Sequence, residues 1–317
     1  MMEYRTLGRS GLRVSALALG TVELGVEYGI ALPGEAARPS ESEGVRLVHA
    51  ALDAGITLID TARAYGVSEA VLGEALRGRR DRVVLATKVR TQGPDGATPT
   101  GEALRRAMRA SLEASLQALR TDYVDLWQIH NVDAALLSQG EVVAQVFEEA
   151  RAAGMVRAVG GSTYGVEAPL AALASGLFDV LQVTYSVLDQ RLEERVFPAA
   201  AAQGVGVIVR SVLLKGALTA RGDHLPERLA PLRERSRAFR ELVAARGGGR
   251  TPVQAAIAFA LGHPQIGAAL VGVRSADELR EALGAVRAPL DPALRAALAA
   301  LRLDDAELLD PSTWGIP

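Results

Sequence analysis

Short apolar runs alternate with longer stretches in which apolar residues recur every three or four positions. The short runs predict strands over residues 14–20, 57–60, 83–88, 124–130, 156–161, 180–184, 205–211 and 268–271. The longer stretches predict helices over 42–54, 68–76, 102–119, 142–153, 167–174, 191–203, 227–245, 252–261 and 276–286. In 102–119, for example, Leu104, Met108, Leu112, Leu116 and Leu119 fall on one helical face. Strict alternation implies parallel strands joined by crossover helices, and eight such units favour closure into a (β/α)8 TIM barrel over an open sheet. Ahead of the first barrel strand, residues 4–8 and 12–14 flank Gly8-Arg9-Ser10-Gly11, the pattern of an N-terminal β-hairpin. Thr251-Pro252-Val253-Gln254 and Ser275-Ala276-Asp277-Glu278 both read as capping boxes that start helices.

The segments 20–40 and 213–225 are long for connections in such a barrel, and 93–101 is a Gly/Pro/Thr loop after the third strand. Extended loops on the C-terminal face are where a barrel builds its site. The chain of 317 residues is expected to form one domain over 1–317, and a hydrophobic fraction of 49% supports a large core. With 35 Lys+Arg against 37 Asp+Glu, the net charge of −2 gives no reason to expect nucleic acid or an acidic membrane as partner. The absence of cysteine excludes disulfides, thiolate catalysis and Cys-ligated metals. Met1-Met2-Glu3-Tyr4-Arg5 lacks a basic region followed by an apolar one, so no signal peptide is expected; no run approaches the ~18 apolar residues of a membrane span, and a cytoplasmic protein is expected.

Four residues stand out against this frame. Asp60, Lys88 and His130 end predicted strands, and Tyr65 closely follows one. Strand C-terminal ends are where a (β/α)8 barrel places its chemistry. A carboxylate at the end of an apolar strand is costly to bury unpaired, so Asp60 needs a nearby cation, and Lys88 on the adjacent strand supplies one. An ammonium fixed there would stabilise a phenolate, bring the pKa of Tyr65 below its reference of ~10 and make it a general acid near neutral pH. The competing reading makes Asp60 and Lys88 a purely structural pair and Tyr65 a boundary aromatic. The other histidines, His49, His224 and His263, lie in helical or loop patterns and read as structural.

At this point the chain resembles the aldo-keto reductase family along nearly its whole length. Leu58-Ile59-Asp60-Thr61-Ala62-Arg63-Ala64-Tyr65-Gly66-Val67-Ser68-Glu69 is similar to that family's signature around its catalytic Asp and Tyr. Ala86-Thr87-Lys88 resembles its lysine strand, and Asp122-Tyr123-Val124-Asp125-Leu126-Trp127-Gln128-Ile129-His130 its histidine strand. The resemblance implies Asp60, Tyr65, Lys88 and His130 as the catalytic set and a nicotinamide cofactor, NADPH ahead of NADH, extended across the barrel mouth without a Rossmann fold. It further implies cofactor contacts at Gly20 and Thr21, at Ser162, Thr163 and Gln182 around the carboxamide, and at Tyr185 stacking on the nicotinamide ring. Ser211, Leu213 and Gly216 would follow the pyrophosphate, and Gly272, Arg274, Ser275 and Glu278 the adenosine phosphate. Thr163 stands where the family usually has Asn, Val212 where it has Pro, Glu278 where Gln or Arg is common, and Ala282 where Asn is common.

The implied reaction is reduction of an aldehyde or ketone, or its reverse on a sugar hydroxyl or lactol, without a metal. Two other functions use the same residues: a cofactor-binding regulatory subunit with little turnover, and an aldolase using Lys88 as a Schiff base. The substrate pocket is expected to include Val22, Glu23, Tyr28 and Trp127.

Overall fold

In the computed structural model, which describes residues 2–316 except 33, 36, 37, 94 and 95, two hairpin strands precede eight parallel strands that close into a barrel. Parts of the loops 20–40 and 93–101 thus lie outside the described residues. The hairpin is β1 (Tyr4–Thr6) and β2 (Arg13–Ser15). The barrel is β3 (Leu17–Gly20), β4 (Leu58–Asp60), β5 (Val84–Val89), β6 (Val124–Ile129), β7 (Val156–Ser162), β8 (Val180–Thr184), β9 (Gly206–Arg210) and β10 (Ala268–Gly272). Consecutive strands pair in parallel, and β10 closes on β3 with Ala269 opposite Leu17 and Gly272 opposite Gly20. Helices cross between the strands, so the (β/α)8 architecture with an N-terminal hairpin is the observed fold.

The two-residue period of the strands explains what sits at the barrel mouth. Ala18, Leu58, Ala86, Leu126, Ala158, Val180, Ile208 and Leu270 point inward and form an apolar plug together with Leu7, Leu12 and Val14 from the hairpin region. Two residues further along each strand stand Gly20, Asp60, Lys88, Gln128, Gly160, Gln182, Arg210 and Gly272. One step of the pleat therefore converts a dry floor into a polar rim. The alternate residues, such as Leu19, Ile59, Trp127, Val183 and Val209, face outward and pack under the helices. The hairpin turn is pressed onto the barrel bottom: Gly8 bridges Val205, and a Cβ at Gly206 would meet the Leu7 backbone at 2.7–3.0 Å.

The structure departs from the sequence pattern in three places. The predicted strand 14–20 is two strands, because the chain bends at Ala16, just after Ser15 ends β2. The Ser15 backbone N–H donates to Thr57 Oγ1 and its hydroxyl accepts from Thr57 N, both at 2.9 Å, which redirects the chain from the hairpin into the barrel. The predicted helix 191–203 shrinks to Val196–Ala202, since Arg191 turns back to chelate Asp189. The Ser275 capping box forms by half: Ser275 accepts from Glu278 N, but the Glu278 carboxylate goes to Arg274 N rather than to the cap. No helix among the described residues is long and apolar enough to cross a membrane.

Candidate active site

The polar rim opens into a cavity of about 610 Å³ that runs from Asp60 and Tyr65 past Glu23 and Gly272 to Arg274 and Ala282. Its walls come largely from the two long segments predicted to line a site, around residues 20–32 and 211–221.

At one end lies a buried ion pair. The Lys88 ammonium donates to Asp60 Oδ2, to the Thr61 carbonyl at 3.0 Å and to the Tyr65 hydroxyl at 3.3 Å. Asp60 Oδ1 accepts from Gln128 Nε2 and Gln182 Nε2, each at 2.9 Å. Burial pulls the Lys88 pKa down, but Asp60 and the Tyr65 phenol outweigh it and hold the ammonium above its ordinary value. Gln128 escaped the sequence reasoning. Its signal was its parity with Leu126, which puts it inside the barrel beside Lys88, its register partner.

Tyr65 sits on the turn between β4 and the helix Ser68–Ala75. Its expected depressed pKa is not found. Burial dominates and raises the phenol above its ordinary value, Asp60 adds to the rise, and Lys88 and Arg210 pull only part of the way back. The hydroxyl thus keeps its proton at neutral pH. His130 follows β6, with its ring edge-on to Tyr65 at 5.5 Å. Burial first, then Lys88, Arg210 and Arg90, depress its pKa to about 3, so the imidazole is neutral. Its Nδ1 is buried and finds no partner among the described residues. Arg210, a second cation missed in the sequence, points inward from the end of β9. It lies over the Tyr164 ring at 4.0 Å and donates to the Thr163 carbonyl at 3.1 Å.

The residues expected around a nicotinamide carboxamide come together. Ser162 pairs with Gln182 across β7 and β8, and Thr163 N donates to the Gln182 carbonyl at 3.0 Å. Thr163 Oγ1 and Gln182 Oε1 are both buried without a partner among the described residues. Unsatisfied buried polar atoms are expensive, and a carboxamide, with two N–H donors and one acceptor, complements this pair. The residues present therefore fit the group.

Tyr185 does not belong to this set. Gln182 and Thr184 face inward, so period two sends Tyr185 outward, where it is fully buried against Phe197, Phe259 and His263 with its hydroxyl donating to Glu193. It cannot stack on a ring held in the cavity. Trp127 is excluded from the substrate pocket for the same reason: it packs edge-on against Phe147, outside the barrel wall. Val22, Glu23 and Tyr28 do line the cavity. Thr21 lines it too, but its hydroxyl is committed to the Asp60 carbonyl and to Ser68 Oγ.

Ser211, Leu213 and Gly216 line the cavity beyond the end of β9, on a turn where Ser211, Leu214 and Lys215 all take positive φ. At the far end Arg274 meets carboxylates. Glu35 lies 3.7 Å and Glu278 3.9 Å from its guanidinium, and Arg221 bridges the same two carboxylates. Ser275 is exposed and serves as the N-cap of the helix Ala276–Gly284.

A model of the aldo/keto reductase family matches residues 16–302. The uncharacterized oxidoreductase YrpG of Bacillus subtilis is 32% identical over 92% of this chain and 93% of its own length. The aldo-keto reductase YhdN of the same organism is 32% identical over 90% of this chain and 88% of its own. A 6-dehydroglucose reductase of Novosphingobium aromaticivorans is 40% identical over 51% of each chain. Among solved structures, the holo form of an aldo-keto reductase from Bacillus halodurans superposes with a TM-score of 0.78 at 28% identity, covering 95% of this chain and 96% of that one. With the closed barrel and its strand-end polar rim, these matches make the chain a member of the aldo/keto reductase family.

Proposed function

We propose that this protein is an NAD(P)H-dependent reductase of aldehydes or ketones, formed as one domain over residues 1–317, with Tyr65 as its general acid. The observation that carries the proposal is the Tyr65 hydroxyl at 3.3 Å from an ammonium that is itself held by Asp60. A bound dihydronicotinamide supplies the hydride. The substrate oxygen then lies between Tyr65 and His130. Tyr65 transfers its proton to the forming alkoxide, and the adjacent Lys88 cation stabilises the phenolate left behind. Neutral His130 polarises and orients the carbonyl by hydrogen bonding and does not act as the acid. Gln128 and Gln182, donating to its Oδ1, keep the Asp60 carboxylate aimed at Lys88. A lysine held as an ammonium is no Schiff-base nucleophile, which disfavours an aldolase.

Gln182 Oε1 and Thr163 Oγ1 would orient the carboxamide, and Arg274 makes NADPH the first cofactor to try. The carboxylates around Arg274 keep NADH in use as well. The Novosphingobium relative supports a carbonyl-bearing sugar as substrate class, with sugar hydroxyl or lactol oxidation as the reverse reaction. The test is consumption of NADPH and NADH over a panel of aldehydes, ketones and keto-sugars, for wild type and Tyr65→Phe. The variant is expected to lose about 10²–10⁴ in turnover while binding cofactor within a few-fold of wild type. Near-normal turnover in Tyr65→Phe would remove Tyr65 as the acid. Tight cofactor binding with no turnover on any substrate would favour a regulatory subunit.

A further inference from the structure

Glu23 stands in the cavity with no assigned work. It lies in the short helix Val22–Gly25 that follows β3, and it is half-buried as a residue. Its Oε2 is closed off from solvent and has no hydrogen-bond partner among the described residues. The carboxyl group rests in a niche that exists only because residue 272 is glycine: a Cβ there would come within 2.0–2.2 Å of its carboxyl atoms. Along the rim, Gly272 is opposite Gly20, and Gly20 is opposite Asp60. Neighbouring strands lie about 4.8 Å apart, so the niche is roughly 10 Å from the Asp60 position, on the way to Arg274. If the nicotinamide lies at Tyr65 and the adenosine at Arg274, the pyrophosphate passes this point.

We propose that Glu23 binds the dinucleotide as a protonated acid, donating a hydrogen bond to a pyrophosphate oxygen, so that binding draws a proton from solvent onto its carboxylate. The inference rests on the cofactor reading above. An ionised carboxylate beside a pyrophosphate would repel it in a site of low dielectric, whereas the acid form is a donor and costs no charge burial. The groups facing Glu23 allow this. Arg274 and Glu278 approach from beyond β10, and Tyr28 from the same loop, with Lys215 over the Tyr28 ring at 5.3 Å. The helix Ser68–Ala75 behind it turns Glu69 to Arg63 and Thr87 instead. Burial already lifts the Glu23 carboxyl to about 7, with its own backbone N–H and Arg274 working against the rise and Glu278 adding to it. A second anion alongside lifts it further.

The test is calorimetric titration of wild type and Glu23→Gln with NADH between pH 6 and 9, in two buffers of different ionisation enthalpy. NADH is the principal probe because the 2′-phosphate of NADPH titrates near 6 by itself. NADPH is run in parallel, where the difference between the two proteins cancels that titration. Wild type is expected to take up little proton at pH 6, and a fraction approaching one by pH 8.5. Its affinity should be level below pH 7 and fall towards tenfold per pH unit above it. Glu23→Gln, whose amide donates at every pH, should show neither the uptake nor the slope, and should bind NADH at least tenfold more tightly than wild type at pH 8.5. Identical pH profiles in the two proteins overturn the proposal. Weaker binding by Glu23→Gln at every pH also overturns it, since the carboxylate would then be acting as an acceptor. Failure of both proteins to bind either dinucleotide overturns the cofactor reading itself, and this inference with it.

Discussion

Asp60 and Lys88, at the Tyr65 end of the cavity, come from barrel strands, are 3% and 1% exposed, and are joined by Gln128 and Gln182 into one network. Arg274, Arg221, Glu35 and Glu278, at the other end, come from loops and a helix start, remain partly in water, and meet at up to 3.9 Å. The contrast separates two uses of charge. Buried charges on adjacent strands have one arrangement, so they can fix the protonation and place of a reacting group. Partly exposed charges on loops can exchange partners, so they suit a ligand phosphate that must displace one of them. The first is costly to disturb and the second is cheap.

The largest expected effect of breaking that contrast is Lys88→Met. It leaves the Asp60 carboxylate buried without its cation and should cost about 3–5 kcal/mol of stability by denaturant unfolding. Arg274→Met should cost less than about 1 kcal/mol in the same assay. Equal losses would show that the two ends are not energetically distinct. Next comes Gln128→Leu, which removes one of the two amide donors to Asp60 Oδ1. A loss of about 1–2 kcal/mol is expected, with turnover reduced and cofactor affinity unchanged. An unchanged turnover would make Gln182 sufficient to hold Asp60. The smallest effects belong to the Arg274 end. Arg274→Ala should weaken NADPH more than NADH, and Glu278→Gln should shift preference towards NADPH by roughly fivefold, or about 1 kcal/mol. Equal changes for both nucleotides would mean that this cluster does not meet the 2′-phosphate.

The alternation of short apolar runs with amphipathic stretches was enough to read the barrel, because a parallel strand buried on both faces has a distinctive composition. Asp60, Lys88 and His130 were legible because an ionisable residue ending such a run has few structural uses. Direction was harder. Tyr185 and Trp127 end or occupy strands as well, but the inward face is set by register, and one position of parity decides between cavity and wall. Counting two residues on from the inward apolar set would have rejected both and found Gln128 and Arg210. The Tyr65 pKa was misjudged for another reason: the neighbouring cation is visible in the sequence, while the burial that outweighs it is a property of the folded site. The carboxylates around Arg274 were half legible. Glu278 is local to it, but Glu35 arrives from a loop more than two hundred residues earlier, and Arg221 from another.

The joint between β3 and β10 brings together residues about 250 positions apart, and the cavity is built across it, with Gly20 and Gly272 facing each other in its wall. At roughly 5–20 residues per second, the ribosome leaves the β3 edge without its final neighbour for roughly 10–50 s. Throughout that interval the floor of the future site is an open sheet edge, the kind of surface that invites mispairing. The same joint is where a long ligand would lie once the circle is complete. Anything bound across Gly20 and Gly272 acts as a clasp on the last seam to form, and lengthens the life of the closed barrel as well as filling its mouth.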